Sequence, residues 1–398
     1  MSTIRDGTTM RVLTVTNHYP PAYSGGYELM CRAAVEGLRA AGHDVRVLVG
    51  DGAGGDGHAD DPDVHRSLHV YWRDGGPVAL SPADRLRLER ANALTLRRHL
   101  QQFGPDVVSW WGMGGMSLSL LEQVRRAGLP AVAFVCDDWL DYARMTDAWS
   151  RMFVARPALG RVVEAVTALP TRVDWGAAAL YVFISDFLRR QAPVLPRTAV
   201  TSPGIDAPFM VARPPRPWGW RLLAIGRIDP RKGFATAIQS LATLPDATLT
   251  IAGTGPGSEL RRLRGIAAEL GVAERVTWLG PQDRAVLPDL YAEHDAILFP
   301  VVWQEPFGLV PLEAMGIGRP VIATGRGGSG EYLRDGENCL LHPAEDAAAL
   351  AAAVARLADD EPLRLRLRDG GLATAGVYTS ERYEWAVMDH LRAAAASA

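Results

Sequence analysis

Short apolar runs recur along the chain, each followed by a turn-rich loop and then a stretch with helical spacing. In the first half they are Arg11 to Thr16 (RVLTVT), Val45 to Val49, Asp106 to Ser109, Ala131 to Cys136 and Leu180 to Ser185. In the second half they are Arg221 to Gly226, Thr248 to Gly253, Val276 to Gly280, Ala296 to Val301 and Pro320 to Thr324. A continuous apolar run, without in–out alternation, fits a strand covered on both faces, as in a parallel sheet. Helical spacing covers Tyr27 to Ala41, which stops at Gly42, then Ser258 to Leu270, Asp283 to Glu293 and the Ala-rich Asp346 to Ala358. Further helices are expected near Gly233, near Leu309 and from about Tyr378 onward. Strand and helix in alternation predict a doubly wound α/β architecture, with ligands bound at the carboxyl ends of the strands.

The alternation is interrupted once. Residues 203–217, PGIDAPFMVARPPRP, are too rich in proline for a central strand or helix and read as a linker. With 398 residues there is material for two cores. The expected organisation is a Rossmann-like domain over 1–203, a linker over 204–219, a second Rossmann-like domain over 220–377 and a terminal helix over 378–398. The two sheets are expected to face each other across a cleft. Residues 50–63, rich in Gly and Asp, are expected to be a surface loop.

Composition excludes several classes. The net charge of -3 argues against a nucleic-acid partner. No uncharged apolar stretch is long enough for a membrane span, and MSTIRDGTTM has no apolar signal core, so a cytoplasmic location is expected. Cys31, Cys136 and Cys339 are far apart and have no CxxC pattern, so neither a disulfide framework nor a structural metal is expected. Of the 42 basic residues, 41 are arginine and one is lysine, Lys232. A chain that otherwise uses Arg suggests that this position needs a compact ammonium.

Four constellations carry chemistry. In GRIDPRKGF, Arg227 and Lys232 stand between a strand and a helix start, which suits a phosphate or pyrophosphate. A solvated basic loop is the plainer alternative. In QEPFGLVPLEAMGIGRPVIAT, Glu305 falls in a loop and Glu313 in the following helix. Each carboxylate accepts two hydrogen bonds and suits a vicinal diol, one on a sugar and the other on a ribose, although for Glu313 taken alone a favourable charge near a helix N-terminus is the plainer reading. The amides of Phe307, Gly308, Leu309 and Val310 lie just before or in the helix start, where they suit an anionic or hydroxylated ligand. In YSGGYE, Gly25 and Gly26 permit close backbone approach, although a tight turn explains them equally. In VCDDW, Asp137 or Asp138 ends a strand and suits a base or a helix cap.

Trp110, Trp111, Met113, Met116, Trp139, Tyr142, Met145, Trp149, Met152 and Phe153 suit either an apolar acceptor pocket or a core. The Arg-rich stretch Arg85 to His99 suits a solvated helix face or an anionic membrane surface.

Taken in order, GRIDPRKG, IAGTGPGSEL, WLG, EPFGLVPLEAMGIGRPVIAT and GGSGEYLRDGENCLL resemble the family 4 retaining glycosyltransferases of the GT-B fold. The stretch NHYPPAYSGGYELMCRAAVEGLRAAGHDVRVLV extends the resemblance, and FISDFLRR and PGID match the family's bridge into the linker. The resemblance implies an acceptor-binding first domain and a nucleotide-sugar-binding second domain. Arg227 and Lys232 would stabilise the diphosphate of an NDP-sugar without a metal or other cofactor. Glu313 would hold the ribose. Glu305 and the Phe307–Val310 amides would hold the donor sugar, and Gly25 and Gly26 the distal phosphate. The product would keep the donor's anomeric configuration, with a hydroxyl acceptor on a glycan, a lipid-linked sugar or a small metabolite. Cys136 occupies the family's usual His position, leaving Asp137 or Asp138 to substitute.

Other readings compete: a nucleotide-sugar epimerase or phosphorylase, and an inactive NDP-sugar-binding protein. A nicotinamide oxidoreductase is disfavoured because GxGxxG with a following acidic residue is absent.

Overall fold

The computed structural model describes residues 9–21, 25–51, 61–73 and 76–397. Tyr23 and Ser24 of YSGGYE, most of the Gly- and Asp-rich 50–63 stretch and the first eight residues lie outside the described residues.

The chain divides into two compact units. The first comprises residues 1–184, 188–201 and 384–398, and the second residues 185–187 and 202–383. In the first, strands β1 (Arg11–Thr16), β2 (Asp44–Gly50), β3 (Val64–Leu68), β4 (Val107–Trp110), β5 (Ala131–Val135), β6 (Leu180–Phe183) and β7 (Thr198–Val200) form one sheet in the order 3-2-1-4-5-6-7. In the second, β8 (Arg221–Ile225), β9 (Thr248–Ala252), β10 (Val276–Gly280), β11 (Ala296–Phe299), β12 (Val321–Ala323) and β13 (Leu340–Leu341) form a sheet in the order 10-9-8-11-12-13. Every pairing in both sheets is parallel.

The longer helices of the first unit are α1 (Gly26–Ala40), α2 (Pro82–Phe103), α3 (Ser119–Arg126), α4 (Trp139–Thr146) and α5 (Pro157–Thr167). The second unit has α6 (Phe234–Ser240), α7 (Gly257–Glu269), α8 (Leu287–Glu293), α9 (Val310–Ile317), α10 (Ala347–Asp359) and α11 (Glu361–Ala375). The last helix, α12 (Ser380–Ala395), starts in the second unit and passes to the first at Glu384.

The strands are buried on both faces, as continuous apolar runs require. Val12, Leu13, Val15, Val107, Val108 and Val132 are fully buried in the first sheet. Leu222, Leu249, Ile251, Leu298 and Ile322 join Ile238, Leu350 and Val354 from helices in the core of the second. Each such side chain contributes roughly 1.5–3 kcal/mol on burial.

Two expectations change in detail. The helix over Asp283 to Glu293 divides into a 3-10 turn, Arg284–Val286, and α8, whose second residue is Pro288. The helix expected near Gly233 begins at Phe234, because Gly233 is left-handed at φ +71° and ends a 3-10 turn over Pro230–Lys232. A Cβ at Gly233 would stand 1.9 Å from the Pro300 carbonyl oxygen, so only glycine fits. Residues 203–217 pack on the second unit, burying Ile205 and Phe209, and Arg213 N–H donates to the Ile317 carbonyl.

In each unit the strand order reverses at the first strand. The loops after β1 and β4, and after β8 and β11, therefore flank the topological switch points where parallel sheets bind ligands.

Candidate functional site

In the second unit, the loops on either side of the switch point meet through one ion pair. Lys232 Nζ lies 2.6 Å from Glu305 Oε2, with the lysine side chain 19% exposed. Trp303 Nε1 donates to the same carboxylate oxygen at 2.7 Å. The Lys232 ammonium also lies 5.4 Å from the Trp303 ring centroid. An ammonium has three N–H donors, and Glu305 takes one of them.

The neighbouring cations are directed elsewhere. Arg231 grips Asp229 with two bonds of 2.9 and 2.7 Å, and its guanidinium stacks 4.5 Å from the Trp303 centroid. Arg227 is exposed and lies 3.8 Å from Asp229. Hydrogen bonds from Arg231 hold the Asp229 carboxyl down at about 2.

The Glu305 loop is clamped from behind. Its carbonyl accepts from Gly328 N–H at 2.7 Å, and a Cβ at the left-handed Gly327 (φ +69°) would stand 2.3 Å from that carbonyl oxygen. Phe307 is buried between Tyr332 and Tyr378, at centroid distances of 5.2 and 5.6 Å. The Tyr332 hydroxyl donates to the Gly308 carbonyl. Among the described residues no acceptor meets the amides of Gly308 and Leu309, which lead into Val310 and α9. Amides at a helix start suit an anion or a hydroxyl.

Glu313 belongs to a separate cluster. The Tyr291 hydroxyl donates to its Oε2 at 2.8 Å, and Arg284 Nη1 lies 3.0 Å from its Oε1. Arg284 also donates through Nε to Asp206 at 2.7 Å and lies 4.7 Å above the Phe209 ring. Both oxygens are therefore engaged, although each keeps a further lone pair.

In the first unit, the Gly25 amide donates to Glu28 Oε2 at 3.1 Å and opens α1. Among the described residues, added Cβ atoms at Gly25 and Gly26 would meet nothing within 4 Å. Tyr27 reaches across to donate to the Phe134 carbonyl at the end of β5. Asp137, just past β5, accepts from Tyr142 Oη at 2.9 Å and from the Trp139 amide at 3.0 Å. Burial pushes its carboxyl up to about 6 against the pull of those two bonds. Asp138 is exposed and precedes α4. Cys136 is buried, and burial, helped by the Asp137 charge, pushes its thiol well above the ordinary range. It therefore stays protonated and cannot replace a titrating imidazole.

The aromatic and methionine set is mostly core. Trp110, Trp111, Met113, Met116 and Trp139 are fully buried, while Trp149 and Phe153 join a cluster with Tyr71, Ala93 and Leu169. Met145 stands apart at 63% exposed. Among the described residues, no three His, Cys, Asp or Glu side chains converge as a metal-ligand set. None of their helices is long and apolar enough to cross a membrane.

Trp303, Arg284 and Tyr291 were not among the expected site residues, and Tyr142 was expected only as part of an apolar pocket or core. Trp303 stands two residues before Glu305, which is a signal in hindsight. Arg284 and Tyr291 have no local motif and reach Glu313 only because α8 and the 3-10 turn before it pack beside α9.

A pair of parallel Rossmann-like units, with paired glutamates and a lone lysine at the second switch point, defines a glycosyltransferase of the GT-B class. Residues 217–373 match the family described as "Glycosyl transferases group 1", and residues 25–183 match "Glycosyl transferase 4-like domain". A glycogen synthase of Mycobacterium tuberculosis is 30% identical over 387 residues, spanning 88% of this chain and 86% of the relative. The chain belongs to family 4 of the glycosyltransferases. Solved structures agree on the fold. A sucrose-phosphate synthase from Thermosynechococcus elongatus superposes with a TM-score of 0.72 at 21% identity, covering 98% of this chain and all of its own (100%). HepE from Anabaena, solved with UDP and glucose, gives 0.69 at 19% identity, covering 96% and 99%.

Proposed function

We propose that the protein transfers a sugar from a nucleoside-diphosphate sugar to an acceptor hydroxyl, retains the donor's anomeric configuration and needs no metal or other cofactor. The observation that carries this reading is the Lys232–Glu305 pair beside the unengaged amides of Gly308 and Leu309. It brings a cation with spare donors and a carboxylate acceptor together on a loop that also carries unengaged N–H groups. That combination suits a sugar hydroxyl next to a diphosphate.

In the transfer, the acceptor oxygen bonds to the anomeric carbon as the bond from that carbon to the diphosphate oxygen breaks. The electron pair leaves with the diphosphate, and Lys232 and Arg227 meet the charge that grows there. Attack from the face the diphosphate leaves preserves the configuration, and the acceptor proton passes to the departing phosphate oxygen. Asp137, with its raised carboxyl, is the side chain we assign to assist that proton. Glu313, held by Arg284 and Tyr291, presents its remaining lone pairs to the ribose diol. The Gly25 and Gly26 backbone is assigned to the distal phosphate. HepE binds UDP and glucose, which favours a uridine donor as the first to try.

The test begins with melting curves in UDP, GDP, ADP, TDP and NAD. Ligand at about 100 times its Kd adds about 2.7 kcal/mol, which moves the melting temperature of a domain of roughly 200 residues by several degrees. We expect a shift with one nucleoside diphosphate, transfer from the matching sugar donor, undiminished turnover in EDTA and a product of unchanged configuration by NMR. A shift with NAD alone overturns the transferase reading. An inverted product overturns retention, and loss of turnover in EDTA overturns metal independence.

A further inference from the structure

Five of the large exposed apolar side chains fall in one short stretch of the first unit. They are Met145 at 63%, Val154 at 78%, Leu159 at 46%, Val162 at 60% and Val166 at 80% exposed. The last three, on α5, are spaced i, i+3 and i+7 and share one helical face. That helix is turned opposite to the usual sense. Its inner side is Gly160, Val163 and Glu164, and a Cβ at Gly160 would stand 2.8 Å from Thr171 Oγ1. Glu164 is the sole acid of α5, and it is paired inward, 2.7 Å from Arg126 and 3.1 Å from the Thr171 amide.

The charge that remains outside is positive. Arg151, Arg156 and Arg161 are exposed around the apolar stripe. Beside them, Arg85, Ala148, Arg151 and Met152 line an open cavity of about 230 Å³. Arg85 Nε is buried there and has no hydrogen-bond partner among the described residues. An apolar stripe rimmed by arginines, with its acid withdrawn, matches an interface between acyl chains and anionic headgroups.

We propose that residues 145–166 form a docking surface for an anionic lipid bilayer. Leu159, Val162 and Val166 enter the headgroup boundary, and a lipid phosphate is received between Arg85 and Arg151. The surface differs from the expectation made for Arg85 to His99. There Arg87, Arg90, Arg97 and Arg98 are exposed, but Leu94 is the one large apolar residue exposed among them. The inference does not depend on the donor site.

The experiment is flotation of the full chain with two kinds of vesicle at low salt. One is phosphatidylcholine alone; the other is an equal mixture of phosphatidylcholine and phosphatidylglycerol. Binding to the mixed vesicles alone is expected, weakening as salt screens the charges. Val162→Ser with Val166→Ser should reduce it about tenfold or more, and Arg151→Gln about fivefold. All three positions are exposed, so the melting temperature should hold, and it serves as the folding control. Absence of binding, equal binding to both vesicles, or binding indifferent to the valine pair would each overturn the proposal. A concentration-dependent dimer that the valine pair abolishes would overturn it too, by assigning the face to a second copy of the chain.

Discussion

The two units share a strand order around their first strand, yet their switch points hold opposite chemistry. The second is charged. Lys232, Glu305, Arg284 and Glu313 form ion pairs of 2.6 and 3.0 Å. The first instead holds two exposed glycines, a buried thiol, and a carboxyl that burial pushes up to about 6. Topology therefore places the site, while loop composition decides what it does. Even the buried acids differ. In the first unit Glu89 is fully buried, accepting from Tyr71, Ser117 and Ser119. Burial and the nearby Asp147 charge push its carboxyl up to about 7. In the second unit, buried Glu305 and Glu313 each face a cation instead.

Breaking the charged switch point should have the largest effect. Lys232→Ala is expected to cut turnover about 100- to 1,000-fold, measured as diphosphate release at saturating donor. Lys232→Arg sharpens the point. The longer, planar guanidinium has to fit where Arg231 already covers Trp303 and where Glu305 allows a contact of 2.6 Å. We expect at least a tenfold loss there, and wild-type turnover in Lys232→Arg would remove the case for a required ammonium.

A smaller effect is expected at the switch point of the first unit. With Asp137 near 6, kcat/KM should fall as pH drops through about 6, because the protonated carboxyl loses the negative charge that assists the acceptor proton on its way to the phosphate oxygen. Asp137→Asn should lower activity and abolish that acidic limb. An unchanged profile would show that Asp137 takes no part in the proton transfer.

The smallest effect concerns stability. The Glu89 pKa is raised in the folded chain, so the folded state holds a proton that the unfolded state releases at lower pH. Its contribution is fully present below about 4.5, the ordinary glutamate range, and is lost as pH rises through about 7. The melting temperature should therefore decline by a few degrees between those limits, and Glu89→Gln should flatten that part of the curve. A variant with the slope of the parent would assign the pH dependence to other groups.

Much of this was legible before any coordinates. The parallel strands were readable because a strand covered on both faces must be apolar at every position, as RVLTVT and TLTIA are. Lys232, Glu305 and Glu313 stood out by rarity and by their place after strands. What was not legible was partnership. Nothing local links Lys232 to Glu305, 73 positions away, or Arg284 to Glu313. Nor did local spacing reveal that α5 turns its valines outward, because a 3.6-residue period defines a face and not its direction.

The sequence by itself determined the layers, the strand-end loops and the residue types available there, because apolar periodicity and turn chemistry act over a few residues. Only the tertiary structure decided which charges meet, which acids lose water and hold protons, and which apolar face stays uncovered. Those properties depend on distance and burial, and both arise when segments remote in sequence pack together.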